Sequence, residues 1–209
     1  EITGDPRYEE KRAYARIRVK PHDRPLAGAE LAMRQSRIPG RAIKMGFTLE
    51  RATAENAKGL VAQIHRMKLE SGIRFFLVDT NAIVLSIIAK ASADNGIVLF
   101  NISDYYDRLR GAECQPHLLH TIPSHAMLTD ALTQFLVFKK WRKVLLLRGA
   151  EPDDIVYASA FIRSAKRYGI KITKTHEFKH GNDPRQRDKN NVALLTSGSN
   201  ADVVFIADI

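Results

Sequence analysis

Three polar runs stand directly behind apolar stretches of the chain. Asp79, Thr80 and Asn81 follow residues 73–78; Asn101, Ser103, Asp104, Tyr105 and Tyr106 end or follow 97–101; Arg148, Gly149, Asp153 and Asp154 follow 143–147. Carboxylates, hydroxyls and amides of this kind suit the binding and orientation of a small polar solute. Thr80 and Asn81 read as plain helix caps or as caps that also touch a ligand, because the free N–H groups of a helix start hold a carboxylate or another anion. Asp153 and Asp154 read as carboxylates that complement a helix dipole, or as groups that receive an amine or hydroxyl. Tyr105 and Tyr106 fall off any periodic face, which suits stacking on the apolar part of a ligand or covering the edge of a core.

Catalytic patterns are missing. No G-x-G-x-x-G follows an apolar run, no Gly-rich loop ends in Lys-Ser/Thr, and no G-x-S-x-G elbow occurs, which argues against dinucleotide enzymes and hydrolases of that type. Of seven histidines, His117, His120 and His125 cluster, but no Cys or carboxylate stands at ligand spacing, so they read as surface or strand-edge residues without a metal. His176 and His180 are four apart on a strand-to-loop segment where that spacing does not align them. Cys114 is the only cysteine, which excludes an internal disulfide and a zinc cluster and leaves the compartment open. No cofactor is implied.

Periodicity supplies the elements that position these residues. A helix is expected over 25–37, with Leu26, Ala29 and Met33 on one face and Pro39-Gly40 as its stop, then a short strand over 43–49. Thr53 opens a helix whose Ala57, Leu60, Val61, Ile64 and Met67 lie at three- and four-residue spacing, and Gly72 ends it. Residues 73–78 read as a parallel strand buried on both faces. Helix 82–93, strand 97–101, a loop over 102–116 and a short strand 117–121 follow. The next helix starts at Pro123-Ser124, carries Leu128, Ala131, Leu132, Phe135 and Leu136 on one stripe, and closes at Trp141. Strand 143–147, helix 152–168, strand 170–175, a polar segment 178–191 outside the core, a helix 192–197 and a buried strand 202–206 complete the chain. Alternating strands and helices imply right-handed crossovers and doubly wound parallel sheets.

At roughly 150 residues per domain, 209 residues make about 1.4 domains, and 44% hydrophobic with 27% charged residues is ordinary globular composition. The longest nearly apolar run, 82–89, is far below the roughly 20 residues a membrane helix needs. The net charge of +10 is scattered over Arg34, Arg37, Arg41 and Lys44, over residues 139–143, and over 163–174, at helix ends and strand starts. That spread reads as basic rims and gives little reason to invoke nucleic acid. The chain opens on Glu1-Ile2-Thr3, without a basic and then apolar targeting segment, and stops on a central-looking strand, so it is expected to be a fragment.

The order of elements resembles a known family. Gly28–Met33, Phe76–Asn81 and Ala93–Asn101 look like the first lobe of type I periplasmic binding proteins, the receptors of branched-chain-amino-acid ABC importers. Thr121–Ser124 through Leu132 resembles the crossing between lobes with the helix after it, and Trp141–Leu147 resembles the strand that follows. Asp5–Tyr8, Arg24–Ala29 and Arg110–Cys114 are similar to a subgroup associated with PQQ-dependent alcohol oxidation. The resemblance implies an α/β, two-lobed type I fold, each lobe a doubly wound parallel sheet flanked by helices. Residues 1–121 would be a first lobe lacking its initial strand, since 17–20 is too basic to replace it, and 122–209 a partial second lobe. It also implies a periplasmic receptor that closes on a small solute by a hinge and presents it to a membrane permease, without chemistry, and it permits a homodimer. By position, Thr80 and Asn81 match the first-lobe Ser/Thr turn, Ser103, Asp104 and Tyr105 the next strand-end loop, and Asp153 and Asp154 the second-lobe loop that often supplies an aromatic. The chain lacks the usual Ser-rich turn after Val78 and a Tyr-Gly after Leu147, which puts an amino-acid ligand in doubt. A ligand-sensing domain of a receptor or transcription regulator with the same fold is the alternative. An α/β enzyme would need a catalytic group such as Asp79 or Asp104.

Overall fold

A computed structural model describes residues 1–9, 11–12, 18–19, 24–179 and 183–208, with 11, 12, 18 and 19 as backbone only. The chain divides into two compact units: Glu1–Glu10 with Lys20–Ile122, and Lys11–Val19 with Pro123–Ile209. Two short strands, β1 (Lys11–Arg12) and β2 (Arg18–Val19), pair antiparallel. The basic stretch 17–20 and the His180 to Asn182 part of the polar segment lie, apart from the backbone of 18 and 19, outside the described residues.

In the first unit, α1 (Leu26–Gln35) and α2 (Arg37–Ala42) are followed by α3 (Ala57–Ser71), β3 (Phe75–Val78), α4 (Ala82–Ala91), β4 (Val98–Asn101) and β5 (Leu118–His120). The three strands form a parallel sheet in the order β3-β4-β5. Asn56, and not Thr53, caps α3, its side chain accepting Gly59 N, and Gly72, at φ 69°, closes the helix in the left-handed region that favours glycine. Leu60, Ile64 and Met67 of α3 and Leu85, Ile88 and Ala89 of α4 pack with Phe76, Val78, Leu99 and Leu118, all from one face of the sheet. The opposite face stays open: Phe75 is 71% exposed, Leu77 48% and Leu119 47%. The reading of 73–78 as buried on both faces is thereby corrected; β3 alternates, because α3 and α4 cover one side of it.

Two further expectations fail in this unit. Pro39-Gly40 does not stop a helix. The break falls at Ser36, and Pro39 occupies the third position of α2, where its missing N–H has no partner to lose. No strand forms over 43–49 either: Ile43, Met45, Phe47 and Leu49 are exposed and no neighbouring strand takes their backbone groups.

The second unit holds α5 (His125–Phe138), β6 (Lys143–Arg148), α6 (Pro152–Arg167), β7 (Lys171–Glu177), α7 (Arg187–Asn190), α8 (Val192–Thr196) and β8 (Val203–Ala207). Its parallel sheet runs β7-β6-β8. Central β6 is buried on both faces. Val144 and Leu146 meet Leu136, Phe161 and Phe205, whereas Leu145 and Leu147 meet Phe178 and Leu195. Phe178 is therefore core, not part of a polar excursion. The stripe on α5 is corrected as well. Leu128, Ala131 and Phe135 are exposed, and the buried face is His125, Thr129, Thr133 and Leu136. Thr129 Oγ1 bonds the His125 carbonyl at 2.8 Å and Ser164 Oγ of α6 at 2.9 Å, so small hydroxyl side chains let the two helices approach.

Candidate ligand-binding site

Parallel pairing of Val78 with Asn101 brings the residues that follow β3 and β4 out side by side at the carboxyl ends of the strands, where open α/β sheets bind ligands. Asp79 and Thr80 are almost completely buried there. Asn81 caps α4, its Oδ1 accepting Val84 N at 3.0 Å.

Asn101 organises the adjacent loop from inside. Its Nδ2 donates to the Asp104 carbonyl at 2.7 Å and to His120 Nδ1 at 3.0 Å, and its Oδ1 accepts Asp104 N at 3.0 Å and Ser103 N at 3.3 Å. An amide nitrogen only donates, so His120 Nδ1 is the acceptor and its proton sits on Nε2. Burial, reinforced by the Arg110 charge and partly offset by a bond with the Leu109 backbone, lowers the His120 pKa below its ordinary value and favours this neutral ring. Asp104 is buried and accepts Tyr106 N at 2.8 Å. Tyr106 packs against the core, consistent with edge cover, and Tyr105 lies at the surface.

The N-terminal segment converges on the same place. Thr3 N donates to the Ala54 carbonyl at 2.9 Å, and a one-turn 3₁₀ helix, Pro6–Tyr8, starts at Asp5. Arg7 then spans three partners. Its Nη2 reaches Asp5 Oδ2 at 2.6 Å and Asp79 Oδ1 at 3.0 Å, and its Nη1 donates to Ser103 Oγ at 3.2 Å. Tyr8 OH donates to Asp79 Oδ1 at 2.8 Å, and Arg24 lies 4.6 Å from the Tyr8 ring centre. Among the described residues, Asp79 Oδ2 and Thr80 Oγ1 are buried without a partner.

Charges follow this geometry. Burial alone would raise the Asp5 pKa, but the hydrogen bonds and charge of Arg7 outweigh it, and the net shift is downward. Burial likewise opposes the charge of Arg7, and the bonds to Asp5 with the Asp5 and Asp79 charges push its pKa up. The Tyr8 phenol is raised, first by burial and then by its bond to Asp79.

Asp79, Thr80, Asn101, Ser103 and Asp104 thus come together at one sheet end with Asp5, Arg7, Tyr8 and His120, which the sequence reading missed. Asp153 and Asp154 belong to the second unit. Asp153 is exposed; Asp154 is buried in a capping box, accepting Glu151 N at 3.1 Å. A side chain at Gly149 would place its Cβ 2.0 Å from Asp154 Oδ2, so glycine there makes room for this cap. Among the described residues no three His, Cys, Asp or Glu side chains gather as a metal site. No described helix is long and apolar enough to cross a membrane.

Comparison with known proteins fits this architecture. The ABC transporter substrate-binding protein of Desulfitobacterium hafniense in complex with Leu is similar at 20% identity and a TM-score of 0.69, over 90% of this chain and 55% of that one. A putative branched-chain amino acid ABC transporter protein of Rhodospirillum rubrum matches at 13% identity and a TM-score of 0.70, over 88% and 51%. A solute-binding protein of R. palustris in complex with benzoate matches at 12% identity and a TM-score of 0.58, over 89% and 52%. The chain thus spans about half the length of the solved structures it resembles. No curated protein sequence matches it. At these identities the structures show the fold alone, the type I periplasmic-binding-protein fold with parallel sheets flanked by helices. The family profile of periplasmic binding proteins matches residues 25–209, and the chain belongs to that family.

Proposed function

We propose that this chain is the solute-capturing part of an extracytoplasmic receptor of an ABC importer, and that it binds a small polar solute without chemical conversion. The observation that carries this reading is the buried polar constellation at the ends of β3 and β4. Asp79 Oδ2 and Thr80 Oγ1 lack partners there among the described residues, beside Ser103 and the loop that Asn101 organises. Buried polar atoms without partners are rare and mark places where a further group completes the bonding. The family match and neighbours that bind Leu and benzoate support the same class of ligand. Asn81 and Tyr105 at the rim, and Asp153 and Asp154 in the second unit, are proposed as further solute contacts. A membrane permease as partner, a periplasmic address, a homodimer and the absence of nucleic-acid binding belong to this reading. So does membership of the subgroup associated with PQQ-dependent alcohol oxidation, supported by Asp5–Tyr8, Arg24–Ala29 and Arg110–Cys114.

Thermal unfolding against a panel of amino acids, benzoate, short acids derived from alcohols and their amides tests the reading. A solute at about 100 times its Kd stabilises the folded state by about 2.7 kcal/mol, a shift of several degrees. Stabilisation by one chemical class supports capture, and a flat response across the panel overturns it.

A further inference from the structure

Arg7 occupies the place where a solute would have to bind. Its guanidinium lies across the ends of β3 and β4, one nitrogen on Asp79 and the other on Ser103, with Asp5 completing the shell. Two acceptors set for the two terminal nitrogens of one planar cation make a fork-shaped receptor, the geometry by which guanidinium groups are recognised. Two carboxylates, those of Asp5 and Asp79, face one guanidinium. The Asp79 carboxylate opposes a second carboxylate placed against it.

We propose that this strand-end site is a cation subsite for the guanidinium or ammonium group of a solute, and that Arg7 fills it as an internal plug which the solute displaces. The proposal rests on the solute-capture reading above and names the chemistry of its ligand. Three observations carry it. Asp79 is 1% exposed, and among the described residues its Oδ2 remains without a partner even with Arg7 in place, so the carboxylate has capacity for one more donor. Thr80 Oγ1, next in the chain and fully buried, has the same unfilled capacity. Arg7 is held by polar contacts in a turn, Pro6–Tyr8, that buries no residue, while upstream of it Glu1, Ile2 and Thr3 are tied to residues 51–54 by hydrogen bonds and an ion pair. A solute cation that remakes the bonds to Asp79 and Ser103 offsets what the departing Arg7 gives up, and Arg7 keeps Asp5 as its counter-ion when it leaves.

An internal competitor reduces the apparent affinity by the fraction of time the site is open. Removing Arg7 should therefore tighten binding of a cationic probe, whereas an arginine that contacts the solute would weaken it when removed. Calorimetry of the 209-residue chain with agmatine, methylguanidinium, leucine and benzoate separates the two. Agmatine is expected to bind, with about a tenfold or greater gain in Arg7→Ala and about a tenfold or greater loss in Asp79→Asn. An unchanged or weakened agmatine affinity in Arg7→Ala overturns the plug. Binding of leucine or benzoate without any binding of the cations overturns the subsite and leaves solute capture standing; no binding of any probe overturns both. A second measurement on the unmodified chain does not depend on the variants folding. The Arg7 Nη resonances, on the two nitrogens that bond Ser103 and Asp79, are expected to shift at saturating agmatine, and resonances that stay in place refute displacement.

Discussion

Asp5 and Asp79 share one guanidinium yet differ in how completely they are used. Both oxygens of Asp5 take bonds from Arg7, whereas Asp79 commits only Oδ1. The Asp5 pKa is lowered in the folded chain, its burial being outweighed by Arg7, so the sign of its pH effect is set. The stability it contributes is complete above the ordinary carboxyl value of about 4 and is lost as pH falls through the lowered folded value. Urea unfolding at pH 6 and at pH 3 should show a smaller drop in Asp5→Asn than in the unmodified chain; equal drops would contradict the pairing. Asn101 makes a second residue-scale case. Asn101→Ala would leave the Asp104 carbonyl and His120 without their amide partner, at about 1–3 kcal/mol for each group stranded in the interior. A change in unfolding free energy below that range would mean that water replaces the amide. The residues behind β3 and β4 were readable because ligand sites in open parallel sheets lie beyond strand ends. Arg7 and Tyr8 were not, since they stand 72 and 71 positions from Asp79 in a stretch without periodicity. The one local signal was Asp-Pro at the head of a turn, followed by a cation and an aromatic.

At the scale of elements, the apolar runs behind β3 and β6 look alike in sequence and differ in the fold. β6 lies between β7 and β8 with side chains packed on both faces, whereas β3 is an edge strand packed on one. Periodicity locates such strands but not their neighbours, which is also why 43–49 could be read as a strand that the sheet does not contain. The rotation of α5 has a different cause. Leu128, Ala131 and Phe135 make as good a stripe as the buried face, and the choice falls to Thr129 and Thr133, whose hydroxyls bond back to their own helix while Thr129 meets Ser164. Two helix starts were more legible, since Asn81 and Ser124 each accept from the expected backbone N–H, whereas α3 starts after Asn56 and not at Thr53. Asn81→Ala is expected to lower stability by about 1 kcal/mol, read as a shift in the urea midpoint. Gly149→Ala is a stronger test of the α6 cap. Its new Cβ would collide with Asp154 Oδ2, and a loss of about 1–3 kcal/mol in unfolding free energy is expected, against little change if the cap can move aside.

The whole molecule combines a long-range repulsion with a short-range attraction. A net charge of +10 keeps copies apart at low ionic strength, and salt near 0.1 M confines that repulsion to about 10 Å. The family and the alternating architecture were legible at this scale from element order alone; the one-sided cover of the first sheet was not, because it depends on which helices reach which face. That open face, with Phe75, Leu77 and Leu119 in contact with water, is an apolar patch on a charged surface and is expected to be adhesive. Static light scattering should show a second virial coefficient that falls from positive to negative as salt is added. In Phe75→Lys/Leu77→Glu, which leaves the net charge unchanged, it should stay closer to zero; the same descent in both chains would place the adhesion elsewhere on the surface. Low ionic strength is therefore the condition under which this chain is expected to stay dispersed.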